Sequence, residues 1–206
     1  SLVVYSLTFC RTIYVGDTGE MVVAAYSLGI PHPPGYPLFC LLGKLMTNIL
    51  PFGNTACRVN YLAAVTGAAA VLLMFLLISK LLEVFRPDGG RLKTAVAASA
   101  ALAFAFSRTF WSQALMAKGS LYTLNAALLA ATLLALLSWG EETKTKAAPA
   151  PHKLYLAAFL FGLTLSNHHT IVPISLAFLF LLIFSAPRGY LLRINFLAAM
   201  FFFLLL

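Results

Sequence analysis

Pro37-Leu38-Phe39-Cys40-Leu41-Leu42-Gly43-Lys44-Leu45-Met46-Thr47-Asn48-Ile49-Leu50-Pro51 is an apolar run closed at both ends by proline. Whether it crosses a membrane or lies along one orients every helix that follows. A span needs about 20 apolar residues to cross the hydrocarbon core. Residues 38–50 fall short of that and carry Lys44 in their middle, so they read as a helix lying at the interface. The basic residues test this reading, because short cytoplasmic loops hold the Lys/Arg excess. With 38–50 interfacial and the first loop outside, the inner ends and loops collect Lys80, Arg86, Arg91, Lys93, Lys144, Lys146, Lys153, Arg188 and Arg193, nine of the 14 Lys and Arg. A spanning 38–50 would put all nine outside and leave Lys44 in mid-membrane.

Outward from that segment the chain is uniformly apolar. Of 206 residues, 61% are hydrophobic and 10% charged, with a mean hydropathy of +0.92, which cannot clothe a water-soluble surface. The sequence predicts an all-α, polytopic transmembrane bundle with spans near 1–14, 58–84, 93–109, 120–139, 154–167, 170–185 and 194–206. Residues 15–57 form the first outer loop, which holds the interfacial helix at 38–50. Both ends read as cut, so 1–206 is expected to be the N-terminal transmembrane region of a longer chain. Residues 2–10 lack the basic flank and cleavage site of a signal peptide and read as the end of a first span. The net charge of +8 is spread over short loops rather than gathered on a face, which argues for membrane topology and against nucleic acid. Cys10, Cys40 and Cys57 have neither metal-ligand nor disulfide-framework spacing.

The polar residues are then expected on one side. Asp17, Glu20, His32, Arg58, Asn60, Trp111, Gln113, Lys118, Asn167, His168 and His169 all fall on the outer face, and 154–167 and 170–185 are short enough to recess the Asn167-His168-His169 tip in a cavity. Acidic side chains are costly near hydrocarbon, which makes Asp17 and Glu20 a candidate catalytic pair. They also fit a helix start, Asp17 as N-cap and Glu20 at N3 as in a capping box. The prolines around His32 build a rigid elbow. Arg58 suits either snorkelling or a phosphate. Adjacent histidines lack the i,i+4 spacing of helical metal ligands, so no metal site is expected at His168 and His169. Trp111 and Tyr122 fit belt aromatics, Gln113 and Asn125 need partners if buried, and 141–153 reads as a solvated cytoplasmic linker.

An ordered set of short motifs runs through almost the whole chain. It comprises Gly16-Asp17-Thr18-Gly19-Glu20, His32-Pro33-Pro34-Gly35-Tyr36-Pro37-Leu38, Pro51-Phe52-Gly53 with Arg58-Val59-Asn60, Trp111, Tyr122-Thr123-Leu124-Asn125, and Gly162-Leu163 with Asn167-His168-His169-Thr170. On these the chain resembles the DUF2723 membrane family, which includes the transmembrane protein 260 type of protein O-mannosyltransferase, in the GT-C glycosyltransferase superfamily. The resemblance implies inverting transfer of a sugar, mannose or a similar hexose, from a polyprenyl-phosphate donor to a hydroxyl of a protein or glycan acceptor on the non-cytoplasmic side. It implies a bacterial inner membrane or the endoplasmic reticulum. The resemblance implies that Asp17 occupies the place of the essential acid in the first outer loop and that 19–29 with 38–50 match the interfacial helices that follow it. The family reads Ala-Glu-Val-Tyr or similar before its tyrosine, whereas this chain has Ala117-Lys118-Gly119-Ser120-Leu121-Tyr122.

Such chemistry requires a base for the acceptor proton and cations for the departing phosphate. Asp17 is the expected base, with Glu20 a second acid or only a cap. Arg58 is the first phosphate candidate, followed by His32, Lys118 and His168. Tyr36, Asn60, Trp111, Gln113, Tyr122, Asn125, Asn167 and His169 complete the expected substrate contacts. Membrane lipids are the remaining partners. No cofactor is required, although Asp17 and Glu20 could hold one hard cation. The rival class is a transporter or lipid-handling protein with a midplane polar site. Internal repeats would favour it, and the sequence has none.

Overall fold

The computed structural model describes residues 1–85, 90–145, 151–168 and 171–185. The expected span at 194–206 and the candidate His169 lie outside them. Among the described residues the chain is all-helical and contains no strand. The helices are α1 (Leu2–Thr8), α2 (Thr18–Ser27), α3 (Pro37–Ile49), α4 (Thr55–Phe85), α5 (Gly90–Ala105), α6 (Arg108–Gln113), α7 (Ala117–Thr145), α8 (His152–Asn167) and α9 (Ile174–Ser185).

The long helices α4 and α7 form the spine, and both are long and apolar enough to cross a membrane. Asn54 starts α4 by accepting the Cys57 N–H at 2.8 Å, satisfying one of the orphan donors of the first turn. Along α4 the buried Ala56, Val59, Ala63, Gly67 and Ala70 recur at three- and four-residue steps and lie on one face. Most are small, which lets α7 approach closely enough for the Thr66 and Thr123 hydroxyls to meet at 2.7 Å. The two helices run parallel: Asn60 meets Ala117 near their starts and Lys80 meets Glu141 near their ends. Parallel neighbours require a return path, which α5 and α6 supply. Helix α8 then descends antiparallel on α7, burying Trp139, Leu154 and Phe161 in a shared core with Phe178 of α9.

Helices α2 and α3 form a hairpin over the starting end of this bundle, with Met21, Ala25 and Phe39 packed on Val59, Leu62 and Leu121. Helix α3 has 13 residues, and at 1.5 Å per residue it is about 20 Å long, well short of a bilayer core. Pro37 opens it and Pro51 follows it, as expected. Its Lys44 ammonium binds the Tyr26 carbonyl at the end of α2 at 2.6 Å and sits 4.4 Å from the Tyr26 ring centroid. A cation placed at a helix C-terminus in this way also satisfies a free carbonyl.

Two helices end earlier than the sequence reading placed them, each for a visible reason. The helix expected over 1–14 stops at Thr8, because the Asn60 amide draws in the carbonyls of Cys10 and Thr12 at 2.9 and 2.8 Å and holds that stretch out of helical geometry. The run expected over 93–109 breaks after Ala105, where Ser107 donates back to the Phe104 carbonyl and caps α6 by accepting the Phe110 N–H. The three cysteines are free thiols. At the far end of the bundle Lys80 pairs with Glu141 at 2.6 Å and Lys153 with Glu142 at 2.7 Å, so much of 141–153 belongs to folded helix ends rather than to a linker.

Candidate active site

Asp17 precedes the first turn of α2, yet its side chain makes no capping hydrogen bond. The capping-box expectation therefore fails. Glu20 does not reach back to the helix start either; it turns to the proline-rich elbow and accepts the His32 backbone N–H at 2.6 Å and pairs with His32 Nδ1 at 2.8 Å. Both carboxylates are thus directed across the fold rather than along their own helix. Asp17 forms its ion pair with Lys118, the second residue of α7.

Neighbouring backbone holds Lys118 in place. The N–H of Ala117 is bound by Asn60 Oδ1 at 2.7 Å. On the other side, a Cβ on Gly119 would lie 1.9 Å from the Gln113 carbonyl oxygen. That obstacle is backbone, so only glycine allows the end of α6 and the start of α7 to come this close. Asn60 is fully buried and its amide is spent on Cys10, Thr12 and Ala117. The structure therefore places Asn60, expected from sequence as a substrate contact, behind Lys118 with its amide engaged by backbone groups.

A second group of candidates continues from His32. The Tyr36 hydroxyl is 3.3 Å from His32 Nε2, and the Tyr36 ring packs on His168 with centroids 5.6 Å apart. Tyr36 sits at φ 46°, a left-handed conformation uncommon outside glycine, and this turns its buried ring inward ahead of Pro37. On the other side His168 meets Tyr122, again at 5.6 Å. Asn125 donates to the His168 carbonyl at 3.4 Å, and Asn167 donates to Asn125 Oδ1 at 2.6 Å and to the Leu121 carbonyl at 2.8 Å. Of the recessed tip expected at 167–169, the two described residues are enclosed: Asn167 is fully buried and His168 nearly so.

The structure thus gathers Asp17, Glu20, His32, Tyr36, Lys118, Tyr122, Asn125, Asn167 and His168 at the end of the bundle where α4 and α7 begin. Two candidates, Arg58 and Trp111, stand apart. Arg58, half-buried, donates to the carbonyls of Phe52 and Thr47 at 3.1 and 3.0 Å and so braces the turn between α3 and α4. Trp111 donates to the Thr8 hydroxyl at 3.3 Å and meets Phe106 edge-on. Gln113 lines a cavity of about 740 Å³ beside the Asp17–Lys118 pair. Lys118 and Tyr122 share that cavity with Tyr14, Val15 and Gly16 of the loop before α2, and with Phe104, Phe110 and Met116. Sequence reasoning missed these walls, since one apolar residue among so many carries no mark.

Electrostatics follow from the pairing. The hydrogen bond and charge of Lys118 hold the Asp17 carboxyl below its ordinary value, with a smaller contribution from His32. Hydrogen bonds from the His32 side chain and backbone do the same for Glu20. Among the described residues no three His, Cys, Asp or Glu gather as metal ligands. A depressed carboxyl stabilises the fold above its unfolded pKa, near 4, and that contribution is lost as pH falls through the lowered folded value. The stability gap between wild type and Lys118→Gln is therefore expected to close on acidification below about pH 4, read by thermal unfolding in detergent from neutral to acid pH.

Comparison with known proteins bears on the whole arrangement. Protein O-mannosyl-transferase TMEM260 of Mus musculus is 40% identical over 169 residues, covering 82% of this chain and 22% of its own length. The tmem260 protein O-mannosyl-transferase of Dictyostelium discoideum is 29% identical over 214 residues, covering 99% of this chain and 25% of its own. The chain thus spans a quarter or less of the curated relatives it matches. No solved structure matches it. The family defined by the N-terminal domain of protein O-mannosyl-transferase TMEM260 matches residues 17–203, from the candidate acid to nearly the end of the chain, and this chain belongs to that family.

Proposed function

We propose that this chain is the polytopic, GT-C-like membrane part of an enzyme that transfers mannose, with inversion, from a polyprenyl-phosphate donor to an acceptor hydroxyl on the non-cytoplasmic side of its membrane. The observation that carries this reading is Asp17. Its carboxylate is unused by its own helix, is paired with a lysine 101 residues away, and stands beside a large cavity with mostly apolar walls. In the proposed step the acceptor oxygen attacks the anomeric carbon as Asp17 takes its proton. The bond from that carbon to the phosphate oxygen breaks, and the electron pair leaves with polyprenyl phosphate, whose charge Lys118 meets. Lys118 replaces Arg58 as first phosphate candidate, because the Arg58 guanidinium is already committed to two carbonyls.

Glu20 and His32 hold the elbow against α2, while Tyr36, Tyr122, Asn125, Asn167 and His168 shape the deeper part of the site. The scheme needs no divalent cation, since Lys118 already neutralises Asp17 and His32 engages both oxygens of Glu20. The names of the relatives favour mannose and a protein acceptor, and their organisms favour the endoplasmic reticulum over a bacterial inner membrane. The full-length protein in lipid nanodiscs, given radiolabelled polyprenyl-phosphate mannose and a Ser/Thr-containing acceptor, is expected to place label covalently on the acceptor. Movement of labelled lipid across reconstituted vesicles with no covalent transfer would establish the lipid-handling alternative instead.

A further inference from the structure

Lys118 lines the cavity and at the same time holds Asp17. We propose that it is an exchangeable mask: its ammonium pairs with the Asp17 carboxylate until a lipid-linked phosphate entering the cavity draws it away, so that the base is uncovered only when donor is present. This deepens, and rests on, the proposed function above.

Three features of the structure support the exchange. The pair is cheap to break, since the Lys118 and Asp17 side chains are 37% and 44% exposed, and exposed pairs contribute little. A phosphate bound by a charge-assisted contact out of bulk water gains more than such a pair loses. The backbone flanking Lys118 is fixed: Asn60 Oδ1 accepts the Ala117 N–H on one side, and Gly119 is wedged on the Gln113 carbonyl on the other. Only the side chain has to swing, and a lysine stem has the rotatable bonds for it. Finally, nothing in its own helix competes for the Asp17 carboxylate, because its side chain makes no cap bond. Once Lys118 leaves, both oxygens are free for the acceptor proton. Glu20 is not uncovered in the same way, as its partner His32 is joined through backbone as well as ring.

The test is a double-mutant cycle on binding of sugar-free polyprenyl phosphate to the full-length protein in nanodiscs, which needs no turnover. Asp17→Asn removes the competitor for Lys118 and is expected to tighten binding roughly two- to fivefold, the size of an exposed pair. Lys118→Gln is expected to weaken binding at least tenfold. In the Lys118→Gln background, Asp17→Asn should then change affinity by less than a factor of about 1.5. A merely structural role for Asp17 cannot produce tighter binding. Wild-type binding with unchanged or weaker affinity in Asp17→Asn overturns the mask and leaves the donor reading standing. Tightening that persists without Lys118 is simple charge repulsion and also overturns it. Failure of wild type itself to bind polyprenyl phosphate overturns the mask and the proposed function together.

Discussion

Asp17→Asn is expected to lower sugar transfer by a factor of roughly 10²–10⁴ while leaving the protein folded. Asparagine has nearly the shape of aspartate and would serve equally well as an N-cap. The structure removes even that concern, since the Asp17 side chain makes no capping bond and α2 closes through the Asp17 carbonyl, which accepts the Met21 N–H at 3.0 Å. What the substitution takes away is the carboxylate, and with it both the proton acceptor and the partner of Lys118. Initial transfer rates at saturating donor, with circular dichroism to verify folding, provide the check. A variant within a few-fold of wild type would exclude Asp17 from the chemistry. Glu20→Gln would then be the variant to find inactive, at the expense of the His32 elbow that Glu20 anchors.

The other large effect belongs to stability. Asn60→Ala is expected to destabilise the fold by on the order of 2–4 kcal/mol. The substitution strips partners from the carbonyls of Cys10 and Thr12 and from the N–H of Ala117. The two loop carbonyls can recover water, because Cys10 and Thr12 are not buried. The Ala117 N–H sits in the core and cannot, so most of the cost falls there. Asn60→Asp keeps an acceptor for Ala117 but sets a buried carboxylate against the carbonyls of Cys10 and Thr12, so it should be no more stable than the alanine variant. Denaturant unfolding in detergent measures all three. If Asn60→Ala were as stable as wild type but inactive, the substrate contact expected from sequence would be restored and the positioning role lost.

Much of the candidate site's membership could be read from the sequence. Asp17 and Glu20 stood out because carboxylates between apolar runs need a reason, and the same argument marked Asn125, Asn167 and His168. The structure brings all five into one region through Tyr36 and Tyr122. Partner choice was not legible. Arg58 and Lys118 both read as cations at the outer ends of spans, and nothing local distinguishes a guanidinium that braces a turn from an ammonium that faces a carboxylate. Glu20 at the third position of a helix start matches a capping box, yet the pull of His32, folded back from 12 residues away, is stronger. Likewise the 1–14 helix was read from an apolar run, whereas Asn60, 48 and 50 residues along, ends it.

By itself the sequence determined the all-helical class, the two long apolar helices, the short proline-bounded α3 and the crowding of polar residues near particular helix ends. These follow from transfer energies and backbone restrictions that act residue by residue and sum along a segment. The tertiary structure alone decided which carboxylate meets which cation, which amide is spent on backbone, and where the cavity opens. Such pairings depend on distances between segments as far apart as Asp17 and Lys118, 101 residues along the chain. Hydrogen bonds and ion pairs are short-ranged and directional, so they take shape only after the small faces of α4 and α7 have packed and brought those segments together.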